Sequence, residues 1–222
     1  MAASAQDVMT VEIWSDIACP WCYVGKRRFE AALSQFEHRD AVRVRWRSFE
    51  LDATAPTERR EDSADHLAQK YGTSREEALA MQQKMTDTAA SLGLKFRFDR
   101  LRGGSTFDAH RLLHLAADLG QQDAMKERLL RAYLTEGEVV GARGTLIRLA
   151  REVGLDRAKV IDTLESGQYA DAVWDDQRTA AALGATAVPF FVVDRAVGAA
   201  GAHSPEALLD LLRQGWEQTH PA

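Results

Sequence analysis

Hydrophobic and polar positions change rhythm along this chain. Val8 to Trp14 and Val42 to Phe49 are predicted as strands. The second alternates apolar residues with Arg43, Arg45 and Arg47, the pattern of a strand with one face on a core and one in solvent. Between them, apolar residues recur at helical spacing from about Cys22 to Phe36. Leu51 to Asp65, with Pro56 and many charges, reads as a linker with a helix start near its end. From His66 to about Gly184 the strand rhythm nearly vanishes. Helical patterns there cover Ser74–Leu92, Thr106–Leu119, Gln122–Thr135, Thr145–Val153, Asp156–Leu164 and Tyr169–Leu183. Ser74 and Gly93 punctuate the first of these as N-cap and terminator. Leu94–Phe98 reads as an extended connector, and Arg102–Thr106 as a loop able to brush an active site. Strand rhythm returns at Val188–Asp194 and Ala196–Ala200. Ser204-Pro205-Glu206 then opens a last helix, to about Gln218, with an N-cap and an N1 proline.

Strand, helix and strand in so short a length predict a parallel βαβ unit with a right-handed crossover. The late pair of strands is expected to join it antiparallel. The layout is βαβ, a helical block, then a helix, a ββ hairpin and a helix. This predicts an α/β protein: a thioredoxin fold (βαβ + ββα) interrupted by a large all-helical insertion. The expected boundaries are 8–52 and 168–222 for the two halves and 53–167 for the insertion.

Composition narrows the function classes. A formal net charge of −5 leaves no basic footprint, so a nucleic-acid partner is not expected. No apolar run approaches membrane-spanning length, so no membrane partner is expected either. The first ten residues lack the basic and apolar segments of a secretory signal and read as a loose tail. The expected location is cytoplasmic, where a disulfide is usually transient and catalytic.

The chemistry concentrates in Cys19-Pro20-Trp21-Cys22, which holds the chain's 2 cysteines. A strand running into C-x-x-C at the mouth of a helix is the setting of a thioredoxin-like redox site. With Cys19 at the N-cap and Pro20 at N1, the missing proline N–H costs nothing. The Cys19 sulfur then faces unpaired N–H groups and the positive end of the helix dipole, which favour the attacking thiolate. Cys22, one turn further in, would resolve a mixed disulfide. Lys26, another turn on, would add positive field unless solvated. Two other readings stand beside this one: plain buried thiols, or half of a zinc site completed by His110 and His114. Pro-Trp inside the pair and the helix behind it favour redox chemistry, with no metal.

Pro189 stands before an apolar strand, which is an ordinary place for an edge-strand proline. In a thioredoxin-like fold it gains meaning as a cis proline beside the C-x-x-C, exposing the Val188 backbone to an extended substrate. Val188, Pro189 and Trp21 are the expected substrate-facing positions.

Ser15-Asp16-x-x-Cys19-Pro20-Trp21-Cys22-Tyr23-x-Gly25-Lys26 and Gly184-x-x-x-Val188-Pro189-Phe190-Phe191 together resemble the DsbA-like thioredoxin family, in particular its FrnE-like cytoplasmic subgroup. Thr106-x-x-Ala109-His110-Arg111-Leu112, Ala132-Tyr133-x-x-Glu136-Gly137 and Gly201-Ala202 extend the likeness over nearly the whole chain. The resemblance implies thiol–disulfide oxidoreductase or isomerase activity on protein or small-molecule disulfides. It implies Cys19 as nucleophile, Cys22 as resolving thiol and Pro189 as the substrate-side cis proline. No cofactor is implied beyond the redox-active disulfide, with glutathione as a candidate electron partner. Strongly oxidising members carry histidine where this chain has Trp21, so a potential less oxidising than about −120 mV is expected. Related folds bury an acid near Glu12 as a proton acceptor. Glu12, with a pKa raised by burial, is the candidate here, and Asp16 its substitute. The bland alternative for Glu12 is an exposed strand residue. His110 shares a helix face with His114 and Phe107 that could line a cleft, or is simply a structural histidine. Two other functions compete: a glutathione-dependent isomerase or transferase of the kappa-type group, and a non-catalytic chaperone or binding module. Kappa-type enzymes commonly have serine at the nucleophile's position, which counts against the first.

Overall fold

The computed structural model describes residues 8–220. Residues 1–7, most of the expected tail, lie outside the described residues together with 221–222. The chain divides into two compact units. One runs up to Phe49 and resumes at Asp175; the other is Glu50–Trp174. The sequence pattern set these joints at 52/53 and 167/168.

The first unit is built on a four-stranded sheet. Strand β1 (Met9–Ser15) leads through a tight turn into helix α1 (Pro20–Gln35), and strand β2 is Val42–Ser48. β1 and β2 run parallel, with Met9 opposite Val42 and Ser15 opposite Ser48. Strands β3 (Phe190–Val193) and β4 (Val197–Ala200) complete the order β2-β1-β3-β4, each antiparallel to its neighbour. The last helix of the chain, Pro205–Thr219, is capped by Ser204, whose hydroxyl accepts from the Ala207 N–H.

Alternation along β1 sorts its side chains between two clusters. Met9, Val11 and Ile13 face Phe29, Ala32 and Phe36 of α1 and Leu208 and Leu212 of the last helix. Gly215 lets that helix approach the sheet: a Cβ there would stand 2.3 Å from Val193 Cγ1. The opposite face gathers Trp14, Phe190, Val192, Cys19, Cys22 and Ala180. Burying these faces is the main favourable term holding the unit together.

The second unit is helical: α2 (Ser63–Tyr71), α3 (Arg75–Ala90), α4 (Phe107–Asp118), α5 (Gln122–Arg131), α6 (Arg143–Glu152) and α7 (Arg157–Glu165). Helix α8 (Ala170–Ala182) carries the chain back to the sheet, so the last helix is α9. The predicted N-cap Ser74 forms a full capping box with Glu77. α2 lies where a linker with only a helix start was expected. Asp62 caps it, accepting from the N–H groups of Ala64 and Asp65. The predicted helix 122–135 is α5 followed by a π turn, Ala132–Glu136, which ends on left-handed Gly137. Gly103-Gly104 folds against the 56–59 segment, with the Gly103 carbonyl accepting from the Arg59 N–H at 2.7 Å.

Candidate functional site

The turn after β1 is shaped by Asp16. Its carbonyl accepts from the Cys19 N–H and its carboxylate from the Ala18 N–H, each at 3.4 Å. Cys19 is the N-cap of α1 in extended backbone (φ −94°, ψ 110°), and Pro20 follows at N1. No side chain caps this end, and the first turn holds no acid. With no acid in the first turn, the positive end of the helix dipole lies at Cys19. Cys19 is 5% exposed and Cys22 fully buried, so of the two only the first presents surface. Both are thiols here rather than a disulfide.

The other side of the site comes from the chain's return to the sheet. The Val188–Pro189 peptide is cis, and the Cys19 thiol donates to the Val188 carbonyl at 3.7 Å. Gly25 permits the approach of α1 to this segment, because a Cβ there would lie 2.6 Å from Pro189 Cγ. Trp21 is 42% exposed beside the cysteines, an apolar side chain held out to solvent.

Two expectations about supporting residues are corrected. Glu12 is neither exposed nor a raised-pKa acid. It is 5% exposed, and burial alone would push its carboxyl upward. Hydrogen bonds from Arg195 and Arg47, with their charges, outweigh burial and hold it below its ordinary value. Lys26 is not solvated either: it is 2% exposed, paired with Glu30, and sits 5.8 Å over the Trp46 ring. The pairing cancels much of the field expected from it. Within the helical unit, His110 is buried, as are Ala109, Leu112, Leu113 and Ala116. Its neighbours in sequence find aromatic partners: Phe107 stacks with Trp174 and His114 with Tyr169.

What sequence reasoning missed is an ionic network on the cysteine side of the sheet. Arg47 donates through Nε to Glu12 Oε1 at 2.8 Å and through Nη1 to Asp176 Oδ1 at 2.9 Å. Asp176 Oδ2 accepts from the Ser48 N–H at 2.8 Å, and its carbonyl from Trp14 Nε1 at 2.7 Å. Arg195 closes the other end, its Nε donating to Glu12 Oε2 at 3.0 Å. Alternation had placed Arg47 on a solvent face, yet it meets Asp176 of α8, itself only 4% exposed. A single acid in a helix pattern carries no signal of such a role.

Among the described residues, no three His, Cys, Asp or Glu side chains gather as a metal site. No helix among them is long and apolar enough to cross a membrane.

A sheet of order β2-β1-β3-β4, flanked by α1 and α9 and carrying a dithiol at the head of α1, makes this a thioredoxin-fold protein. The helical unit is an insertion between its two halves. The sequence model of the DSBA-like thioredoxin domain matches residues 10–213, and the chain belongs to that family. It is 46% identical to a probable DsbA oxidoreductase from Streptomyces coelicolor, with a TM-score of 0.91 over 96% of this chain and 92% of that one. It is 29% identical to the uncharacterized protein YwbO of Bacillus subtilis, over 86% of this chain and 90% of the relative. The fold also matches the cytosolic disulfide reductase DsbM from Pseudomonas aeruginosa, solved with GSH. That match has 19% identity and a TM-score of 0.61, over 93% of this chain and 95% of that one.

Proposed function

We propose that this chain is a dithiol–disulfide oxidoreductase that cycles Cys19 and Cys22. The observation that carries the reading is the asymmetry of the pair: Cys19 is the helix N-cap and keeps a small exposed surface (5%), and Cys22 is fully buried one turn behind it. In the reducing direction, the Cys19 thiolate attacks a substrate disulfide, forming a mixed disulfide and releasing one substrate thiolate. Cys22, losing its proton, attacks Cys19 Sγ and expels the second substrate thiol. Two electrons have then passed to the substrate and the protein holds the Cys19–Cys22 disulfide. Two external thiols, leaving as their own disulfide, return the protein to its dithiol, and the same steps run backward oxidise a substrate dithiol. Isomerase turnover differs only in that a substrate thiol, not Cys22, resolves the mixed disulfide.

Trp21, Val188 and Pro189 form the substrate side in this reading, with an extended disulfide-bearing segment lying along Val188. Glutathione is the candidate electron partner. Support comes from the fold's likeness to the cytosolic disulfide reductase DsbM, solved with GSH, which also agrees with a cytoplasmic reaction. The test is a Cys22→Ser variant incubated with glutathione disulfide. A stable adduct on Cys19, seen by intact mass, is expected. Unmodified protein, with the thiol accessible to iodoacetamide, would overturn the assignment.

A further inference from the structure

We propose that Arg195 is a positioning residue of the redox site, completing a two-guanidinium clamp on the buried Glu12 carboxylate and offsetting its negative field at the cysteine pair. The proposal rests on the redox reading above.

Glu12 and Asp176 bring two negative charges, and Arg47 is shared between them, with its Nε on one and Nη1 on the other. Without Arg195 the cluster would be left with a net charge of about −1 at neutral pH, where carboxylates and guanidinium groups are ionised. Glu12 lies on the same face of β1 as Trp14 and opposite Val192 in register, and Trp14 and Val192 pack in one cluster with Cys19 and Cys22. A net negative charge there disfavours a thiolate.

Arg195 is delivered by an unusual turn. Asp194 and Arg195 join β3 to β4 with φ of 43° and 58°, a left-handed pair with no glycine to make it easy. Asp194 secures the turn, its Oδ1 accepting from the Thr10 N–H at 2.7 Å and its Oδ2 from Thr219 Oγ1 at 3.1 Å. Two residues held in a conformation costly for each place one guanidinium on the open side of Glu12. Arg45, opposite Glu12 across β1 and β2, is exposed. Lys26 is paired with Glu30, and Asp16 is folded into the Cys19 turn.

The test uses the full chain, measuring the Cys19 alkylation rate at pH 7 and the equilibrium with glutathione disulfide. Arg195→Met is expected to slow alkylation roughly two- to threefold, a screened effect because the arginine is half exposed, and to shift the equilibrium toward the protein disulfide. Glu12→Gln is expected to move both readouts the opposite way. The double variant, neutral again, is expected to return toward wild type, and Arg195→Lys to stay close to it. Arg213→Met, which removes an exposed pair with Glu37, serves as the control. Should Arg195→Met fail to fold, Arg195→Gln replaces it. Unchanged readouts in Arg195→Met, or slowing in Glu12→Gln as well, overturn the proposal. Absence of any reversible disulfide in the wild type instead overturns the redox reading, and the proposal with it.

Discussion

The thiol of Cys19 donates to the main-chain carbonyl of Val188 at 3.7 Å, across 169 positions of sequence. The contact joins the two halves of a thioredoxin fold that a helical unit of residues 50–174 separates along the chain. It also sets the Cys19 sulfur beside the cis Val188–Pro189 peptide.

The two cysteines are expected to fail differently. Cys19→Ser abolishes turnover of a fluorescent disulfide peptide, a loss of at least about 10³-fold, because the attacking thiolate is gone. Cys22→Ser retains the first attack and accumulates the mixed disulfide. Quenched-flow sampling with mass spectrometry separates the two. Equal retention of function in both variants would favour a binding module.

Gly25→Ala tests the packing behind the site. The new methyl would stand 2.6 Å from Pro189 Cγ, so α1 or the 188–190 segment must shift. The expected cost is about 1–3 kcal/mol in urea unfolding, as for other overpacked positions, along with weaker substrate turnover. Gly144→Ala on α6, where nothing lies within 4 Å of the added Cβ, is expected to show no loss.

Glu12 gives stability a definite pH dependence. Its carboxyl ionises in the fold at a lower pH than its ordinary 4.5, so the paired form contributes fully above that value. The contribution is lost as pH falls through the folded pKa. Glu12→Gln is therefore expected to cost about 3 kcal/mol at pH 7, a size typical of breaking a buried ion pair. The gap should narrow below pH 4.5. Urea titrations of both proteins at pH 7 and pH 3.5 measure it, and a gap that widened on acidification would contradict the assignment.

The strands, the helices other than α2 and the cysteine pair were legible because each is a local pattern. β1, α1 and β2 follow from periodicity, and Ser74 and Ser204 announce their helices by capping chemistry. The ionic network was not legible, because it depends on which helix covers which face. Arg47 and Arg45 carry the same signal in β2, yet one is clamped between two carboxylates and the other is exposed. Lys26 misled for a similar reason: a long side chain can lie over Trp46 and reach Glu30, which spacing alone does not reveal. Arg195 was hidden by a turn that lacks the usual glycine.

Trp21→His addresses the tuning of the site from its exposed side. An imidazolium beside Cys19 would favour the thiolate and stabilise the dithiol state. The expected result is a more oxidising potential, by about 30 mV for each tenfold change in the exchange constant with glutathione. An unchanged constant would show that the position does not sense the sulfur's charge.

The central claim is that Cys19 and Cys22 form a reversible two-electron couple. Equilibration in glutathione buffers of graded ratio, followed by acid quenching and trapping of thiols, measures it directly. A single reversible transition is expected, with both thiols trapped together, at a potential below about −120 mV. The absence of a reversible disulfide would contradict it outright, and a potential at or above that level would contradict the role given to Trp21.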